Sequence, residues 1–407
     1  MKFKICAQVF IAVVLIVTMT GCGQASVNTP VSTGAAQAQS INDILQPLLS
    51  DYQLPSVAAV VISNGQVIAQ GAVGERKAGN SIPVTINDQY QIGSCTKAMT
   101  ATIIGMLVQQ GKVNWTSTMG NIFPEMKAEM LPKYRDVTIL ELLSMHAGLL
   151  SNTVNVGYPP GTTAEYWLGL TEPILQQRYE YTKDFLCQPD SPAVEALPEP
   201  GTTYLYSNVG YVIAGAVAEK VTGKSWEDLM TNMLFKPLGI TDAGFSFSMA
   251  TGYEVNQPWQ HYYYSAQELS IPPVYAPDLT GSPPVMYPAG GVHLSVPDWA
   301  KFITMQLEAE NGGSTLLTPE TAKVLHTPPF DIGSGYALGW FVQPDYLWTD
   351  GTILTHGGDT DLDHADVWMS IKDNFAVLVT TNIDSESAQM ATEYAINMLI
   401  PKFLPNQ

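Results

Sequence analysis

Charge is scarce in this sequence: Asp, Glu, Lys and Arg make up 14% of its 407 residues, against about a quarter in an average globular chain. The scarcity is one-sided. Lys and Arg number 18 and Asp and Glu 37, a formal net charge of −19, with no basic cluster. That balance excludes a nucleic-acid surface and electrostatic adsorption to anionic lipid, and it fits a solvated acidic exterior. Cysteine is sparse too. Cys6, Cys22, Cys95 and Cys187 make no disulfide framework, and the distance between Cys95 and Cys187 neither pairs them nor keeps them apart. After residue 22 there is no apolar run long enough for a membrane span and no internal repeat. What is abundant is apolar side chain, 46% of the sequence, enough for a large core or two lobes.

The N-terminus reads as a targeting segment. Lys2 and Lys4 precede an apolar stretch, residues 5–19, that ends in Met19-Thr20-Gly21-Cys22. This resembles the lipobox of bacterial lipoproteins, which implies cleavage before Cys22 and lipidation of that cysteine. The alternative is ordinary secretion with Cys22 incidental. Residues 22–40, rich in Gly, Ala, Ser, Thr and Gln, suit a flexible tether.

Beyond the tether, an amphipathic helix is expected at 41–52, then strands at 57–63 and 66–73. Asn64-Gly65 between them is the pair favoured in a type I′ hairpin turn. A helical pattern covers 98–110 and stops at Gly111, and Met99, Ile103, Ile104 and Leu107 mark its core face. Further helices are expected around 137–145, 209–222 and 225–234. Two long segments, 151–203 and 250–290, read as ordered loops walling a cleft, the second rich in aromatics including Trp259, Tyr262 and Tyr287. Strands return at 336–342, 352–356, 365–371 and 375–381, the last two joined at Asp373-Asn374, and a helix at 385–399 closes the chain. One sheet built from both chain ends, with a helical lobe inserted and a cleft at the junction, follows from this order.

Ser94-Cys95-Thr96-Lys97 is the one Ser-x-x-Lys in the chain. In the first turn of a helix the two side chains share a face, so the amine meets the hydroxyl. The helix N-terminus also aims N–H groups at charge developing on an attacked carbonyl. Tyr206-Ser207-Asn208 stands just before the helix near 209. A phenol near a lysine can act as a general base. The Asn208 amide can bond both lysine and substrate, or can simply cap the helix. His356-Gly357-Gly358 ends a strand, where two glycines let a ligand approach the backbone and the Asp359 N–H can serve as an oxyanion donor. Esterases of the α/β-hydrolase fold place His-Gly-Gly ahead of a Gly-x-Ser-x-Gly elbow; this chain has no such elbow, which disfavours that fold.

Taken in order, Ser94-x-x-Lys97, Tyr206-x-Asn208 and His356-Gly357-Gly358 resemble the serine β-lactamase and penicillin-binding-protein superfamily, in its class C, DD-peptidase and esterase branch. The flanks 142–149, 200–211 and 288–291 agree. The resemblance covers roughly 41–400. It implies a two-lobed α/β (α+β) fold in which an antiparallel sheet is flanked by helices. The α/β lobe would come from about 41–95 and 290–400, the mostly helical lobe from about 98–289, and the active site would lie at their junction. It implies Ser94 as nucleophile, activated by Lys97 and Tyr206 as one unit, with Tyr206 as base for the attacking water. Asn208 would orient substrate and Lys97, and the N–H groups of Ser94 and Asp359 would form the oxyanion hole. His356 and Gly357 replace the Lys and Thr that grip a substrate carboxylate in class C enzymes, which moves the expectation away from efficient β-lactam hydrolysis.

Asp359, Asp361, Asp363 and Asp366 follow the third motif and would favour neutral or cationic substrates. A calcium loop is the rival reading, but its glycine and distal glutamate are missing. No metal or other cofactor is expected. The chain therefore reads as a serine hydrolase acting through an acyl-enzyme on a small ester, amide or D-amino-acid peptide at the outer face of the cell membrane. A membrane contact is expected only through the lipid anchor, and no nucleic-acid partner is expected. A DD-carboxypeptidase or weak β-lactamase, and a penicillin-binding sensor, are the alternatives.

Overall fold

The computed structural model describes residues 38–151, 169–187, 196–246, 254–264, 267–270, 283–331, 335–344, 348–349 and 351–404. The expected signal segment, Cys22, most of the tether and parts of both long loops, including Tyr275, lie outside the described residues. No described helix is long and apolar enough to cross a membrane.

In chain order the strands are β1 (Gln39–Ser40), β2 (Ser56–Ser63), β3 (Gln66–Gly74), β4 (Gln89–Gln91), β5 (Ala243–Phe245), β6 (His261–Tyr264), β7 (Gln267–Ser270), β8 (Val292–Ser295), β9 (Phe341–Gln343), β10 (Ile353–Asp359), β11 (His364–Ser370) and β12 (Phe375–Thr381). The helices of eight residues or more are α1 (Asn42–Asp51), α2 (Thr96–Gln109), α3 (Ile174–Leu186), α4 (Asn208–Thr222), α5 (Val296–Ala309), α6 (Pro319–His326) and α7 (Glu386–Phe403).

The main sheet runs β1-β3-β2-β12-β11-β10-β9, joining the two chain ends as the sequence order implies. All pairs are antiparallel except the short parallel contact of β1 with β3. Residues 39–40, read from composition as tether, are thus paired with Ala69 and Gln70. Asn64 and Gly65 turn the β2–β3 hairpin at φ 51° and 72°, the left-handed values a type I′ turn needs. Asn374, at φ 46°, helps turn the chain from β11 into β12.

The central strands are apolar on both faces, so each face is covered. Ala58, Val60 and Ile62 of β2 and Ala376 and Leu378 of β12 point into one core with α2 and α5. Val57, Ala59, Val61, Phe375, Val377 and Val379 point into another, closed by α1 and α7. Fully burying each Val, Ile, Leu or Phe side chain contributes about 1.5–3 kcal/mol. Helix α2 is buried almost all round, and Gly111 at φ 67° follows its last turn.

Three segments differ from expectation: of 336–342, expected as one strand, only the end belongs to β9 (Phe341–Gln343), because Tyr336 makes just an isolated bridge to Phe341. Residues 151–203 contain α3, whose buried residues include Gln177, Arg178 and Thr182 as well as Tyr181, Phe185 and Leu186. A buried helix face that is half polar gives no apolar stripe, so periodicity missed it. Likewise 250–290 contains the β6–β7 hairpin and short helices at Pro284–Met286 and Tyr287–Gly290.

Candidate active site

Gly93–Cys95 form a 3₁₀ turn that continues into α2 at Thr96. One turn further on, Lys97 Nζ lies 2.8 Å from Ser94 Oγ. Lys97 is sealed from solvent. Its second hydrogen-bond acceptor is the Ala289 carbonyl oxygen at 2.7 Å, and the rings of Tyr206 and Tyr211 lie 5.0 and 5.7 Å from Nζ. Among the described residues no carboxylate pairs with it. Burial, which disfavours the ammonium, pulls its pKa down to about 7.

Tyr206 reaches the same atom from the segment just before α4, its hydroxyl donating to Ser94 Oγ at 2.8 Å. Burial pushes the phenol above its ordinary pKa, against the hydrogen bond to Ser94. The pair is therefore asymmetric near neutral pH: Tyr206 keeps its proton, while Lys97 is poised to lose one. This runs against a phenolate at Tyr206.

Ser207, not Asn208, caps α4, its hydroxyl accepting from the Gly210 N–H at 3.1 Å. Asn208 is the first helical residue, half-buried, with its N–H bonded to the Ser151 carbonyl at 2.8 Å. Among the described residues its side chain bonds neither Lys97 nor anything else. The expected Lys97–Asn208 bond is replaced by the one to Ala289, a position that the sequence marked only as part of a flank.

The end of β10 packs directly on the Ser94 turn. Gly93 sits at φ 45°, and a Cβ there would lie 2.8 Å from the Asp359 nitrogen. A Cβ at Gly358 would come within 2.0 Å of the Ile92 carbonyl and 3.0 Å of the Ser94 nitrogen. Only glycine permits this approach, which packs the backbone of Gly358 and Asp359 directly against that of residues 92–94.

His356 is buried and does not face the cleft as a cation. Its Nδ1 lies 2.6 Å from the Gly357 carbonyl and so carries the proton; Nε2 accepts from Tyr336 OH at 3.0 Å. Burial, helped by the charge on Lys97, lowers its pKa to about 3. The partial charge expected from a histidine at this position is absent. Tyr336, the residue that secures this state, was not singled out in the sequence. Cys95 lies beneath the strand, its thiol donating to the His356 carbonyl at 3.2 Å, and both Cys95 and Cys187 are free.

Of the four aspartates after the motif, Asp359 and Asp361 are exposed, Asp366 is half-buried and Asp363 is fully buried. Burial pushes Asp363 up to about 7, against hydrogen bonds from Gln260 and Thr360. Asp359, His364 and Asp384 bring possible ligand atoms within 4.8 Å of one another. Both nitrogens of His364 are bonded within this cluster, to Asp359 and Asp366.

A family model described as Beta-lactamase matches residues 41–398. Among curated proteins, the chain is 22% identical over 371 residues to Protein flp of Staphylococcus aureus (strain COL), covering 89% of this chain and 66% of that protein. It is 26% identical over 322 residues to Penicillin-binding protein 4 of Amycolatopsis lactamdurans, covering 76% of each. The chain thus spans just under two thirds of the length of the flp proteins it matches. Among solved structures, the octameric penicillin-binding protein homologue from Pyrococcus abyssi superposes with a TM-score of 0.67 at 21% identity, covering 89% of this chain and 78% of that one.

Proposed function

This chain belongs to the beta-lactamase family, and from that premise we propose that it is a serine hydrolase working through an acyl-enzyme. The observation that carries the reading is the shared contact at Ser94 Oγ: a fully buried Lys97, with no carboxylate partner among the described residues, on one side and the Tyr206 hydroxyl on the other, each at 2.8 Å. With a pKa of about 7, Lys97 is neutral in a large fraction of molecules at neutral pH and can take the Ser94 proton. Oγ then bonds the substrate carbonyl carbon, and the oxygen charge that develops meets the N–H groups of Ser94 and Asp359. The proton held by Lys97 passes by way of Tyr206 to the leaving group as its bond to carbon breaks. Water repeats the sequence on the ester, returning Ser94 and releasing the acid.

The substrate we propose is a small ester, amide or D-amino-acid peptide whose acyl part needs no cationic clamp. A neutral, buried His356 supports this, since it offers no positive charge to a carboxylate. Likeness to penicillin-binding proteins supports a second reading, DD-carboxypeptidase or weak β-lactamase activity. The lipobox-like Met19-Thr20-Gly21-Cys22 supports export and anchoring through lipidated Cys22 at the outer face of the cell membrane.

The test is covalent labelling. The protein is treated with a fluorophosphonate probe, a penicillin and a panel of p-nitrophenyl esters, and intact mass is followed with time. A Ser94-dependent adduct with ester turnover is expected. No adduct and no hydrolysis would sink the enzyme reading, and a lasting penicillin adduct without turnover would favour a sensor.

A further inference from the structure

Alternation along β10, together with the pairing of Asp359 with His364 on β11, places His356 and His364 on opposite faces of the sheet. His356 and Gly358 face the Ser94 turn and Tyr336. Gly357 and Asp359 face the other way, toward α7. There Asp366 Oδ1 would lie 3.2 Å from a Cβ at Gly357, and its Oδ2 accepts from Thr392 of α7 at 2.5 Å. On this far face His364 stands directly opposite Asp359 in the β10–β11 ladder. Its Nδ1 bonds Asp359 Oδ1, and its Nε2 bonds Asp366 Oδ2 at 3.0 Å. Carboxylates only accept, so both ring nitrogens carry protons and the ring is an imidazolium.

This bracket sits where β10 is least supported. β9 pairs only with residues 353–355, so among the described residues no strand lies beside the edge of residues 356–359 that faces the Ser94 turn. Immediately beyond, the chain leaves the ladder through a four-residue loop with Asp361 at φ 64°. The backbone at Asp359 is thus the last ladder position before a turn, and the proposed oxyanion donor is its N–H.

We propose that His364 is a positioning residue: bracketed between Asp359 and Asp366, it holds the end of β10 so that the Asp359 N–H stays aimed at the oxyanion. The inference rests on the acyl-enzyme reading above. His364 cannot itself exchange protons with substrate, since it lies on the other side of the sheet from Ser94. Burial works against its charge, but the two carboxylates outweigh burial and raise its pKa to about 10, so the bracket stays closed across the neutral range. Asp359 and Asp366 together carry one negative charge more than the imidazolium offsets, so the ring both ties the two strands and keeps their carboxylates from repelling each other at the end of β10.

The test compares full-length wild type, His364→Gln and Asp366→Asn. It uses steady-state ester hydrolysis, the infrared carbonyl band of the Ser94 acyl-enzyme, and thermal melting. A whole oxyanion donor is worth about 10²–10³ in kcat, and a misaimed one keeps part of that. His364→Gln should therefore lower kcat about tenfold with KM nearly unchanged. Its acyl carbonyl band should move to higher frequency as polarisation by the Asp359 N–H weakens, and Asp366→Asn should shift it in the same direction by less. If His364→Gln fails to fold, the band of Asp366→Asn decides. An unmoved band in a folded variant overturns the inference, even where melting temperature falls, because that outcome is purely structural. Absence of any Ser94 adduct in wild type removes the acyl-enzyme reading and the inference with it.

Discussion

Arg178 and Lys97 are both sealed from solvent, yet the fold surrounds them in opposite ways. Arg178, on α3, is held by Glu219 and Glu227 and by the carbonyls of Val285 and Pro284. Burial works against its charge, but the two carboxylates outweigh it and its pKa rises. Lys97 meets one hydroxyl, one carbonyl and two ring faces, with no carboxylate among the described residues, and its pKa falls to about 7. A buried cation with counter-ions is fixed in one protonation state and joins elements together. A buried cation without them is left close to its neutral form, which costs stability and prepares a base. The difference separates the structural charge of this molecule from its chemical one.

The largest effect should come from removing the unpaired cation. Lys97→Met is expected to lower kcat/KM for esters by about 10²–10⁴, while its melting temperature at pH 6 stays at or above that of wild type. The sign follows from linkage. Lys97 titrates near 7 when folded and near the ordinary lysine value of 10.5 when unfolded, so between those values the unfolded chain binds more protons. Wild-type stability therefore rises with pH across that window, and the melting advantage of Lys97→Met should shrink from pH 6 to pH 10. A variant that melts well below wild type at pH 6 would mean that Lys97 is paired after all.

Arg178→Met should do the reverse. It leaves Glu219 and Glu227 without their cation, at an expected loss of about 3–5 kcal/mol in denaturant unfolding. Ser94 labelling of the fraction still folded should continue. Unaltered stability would erase the contrast between the two sites.

Tyr206→Phe removes the proton donor to Ser94 Oγ but leaves Lys97 in place, and a loss of about 10² in kcat is expected. A larger loss than that of Lys97→Met would transfer the base role to the phenol.

The smallest test is the pH profile of kcat/KM. It should fall about tenfold per unit below a pKa near 7, with no inflection from His356, whose pKa lies at about 3. Asp363 also titrates at about 7. Asp363→Asn should therefore leave the profile in place if Lys97 is responsible.

The sequence by itself determined what depends on neighbours in the chain. Ser94 and Lys97, three residues apart at a helix start, meet because helical geometry brings them together. The Asn64-Gly65 turn, the strands on either side of it and the stop of α2 before Gly111 follow from backbone preference at single positions. The ordered motifs also placed Tyr206 and the β10 glycines at the site. Tertiary structure alone decided the charge states. Lys97 meets Ala289 across 192 residues and Ser94 meets Tyr206 across 112. His356 is neutral because Tyr336 donates to it in a dry enclosure, and His364 is charged because two carboxylates enclose it. Helix α3 escaped the sequence reading for the same reason, its buried Arg178 being tolerable only beside glutamates from other segments. Protonation depends on how much water is excluded and on which groups replace it, and both are set by side chains brought together from distant parts of the chain.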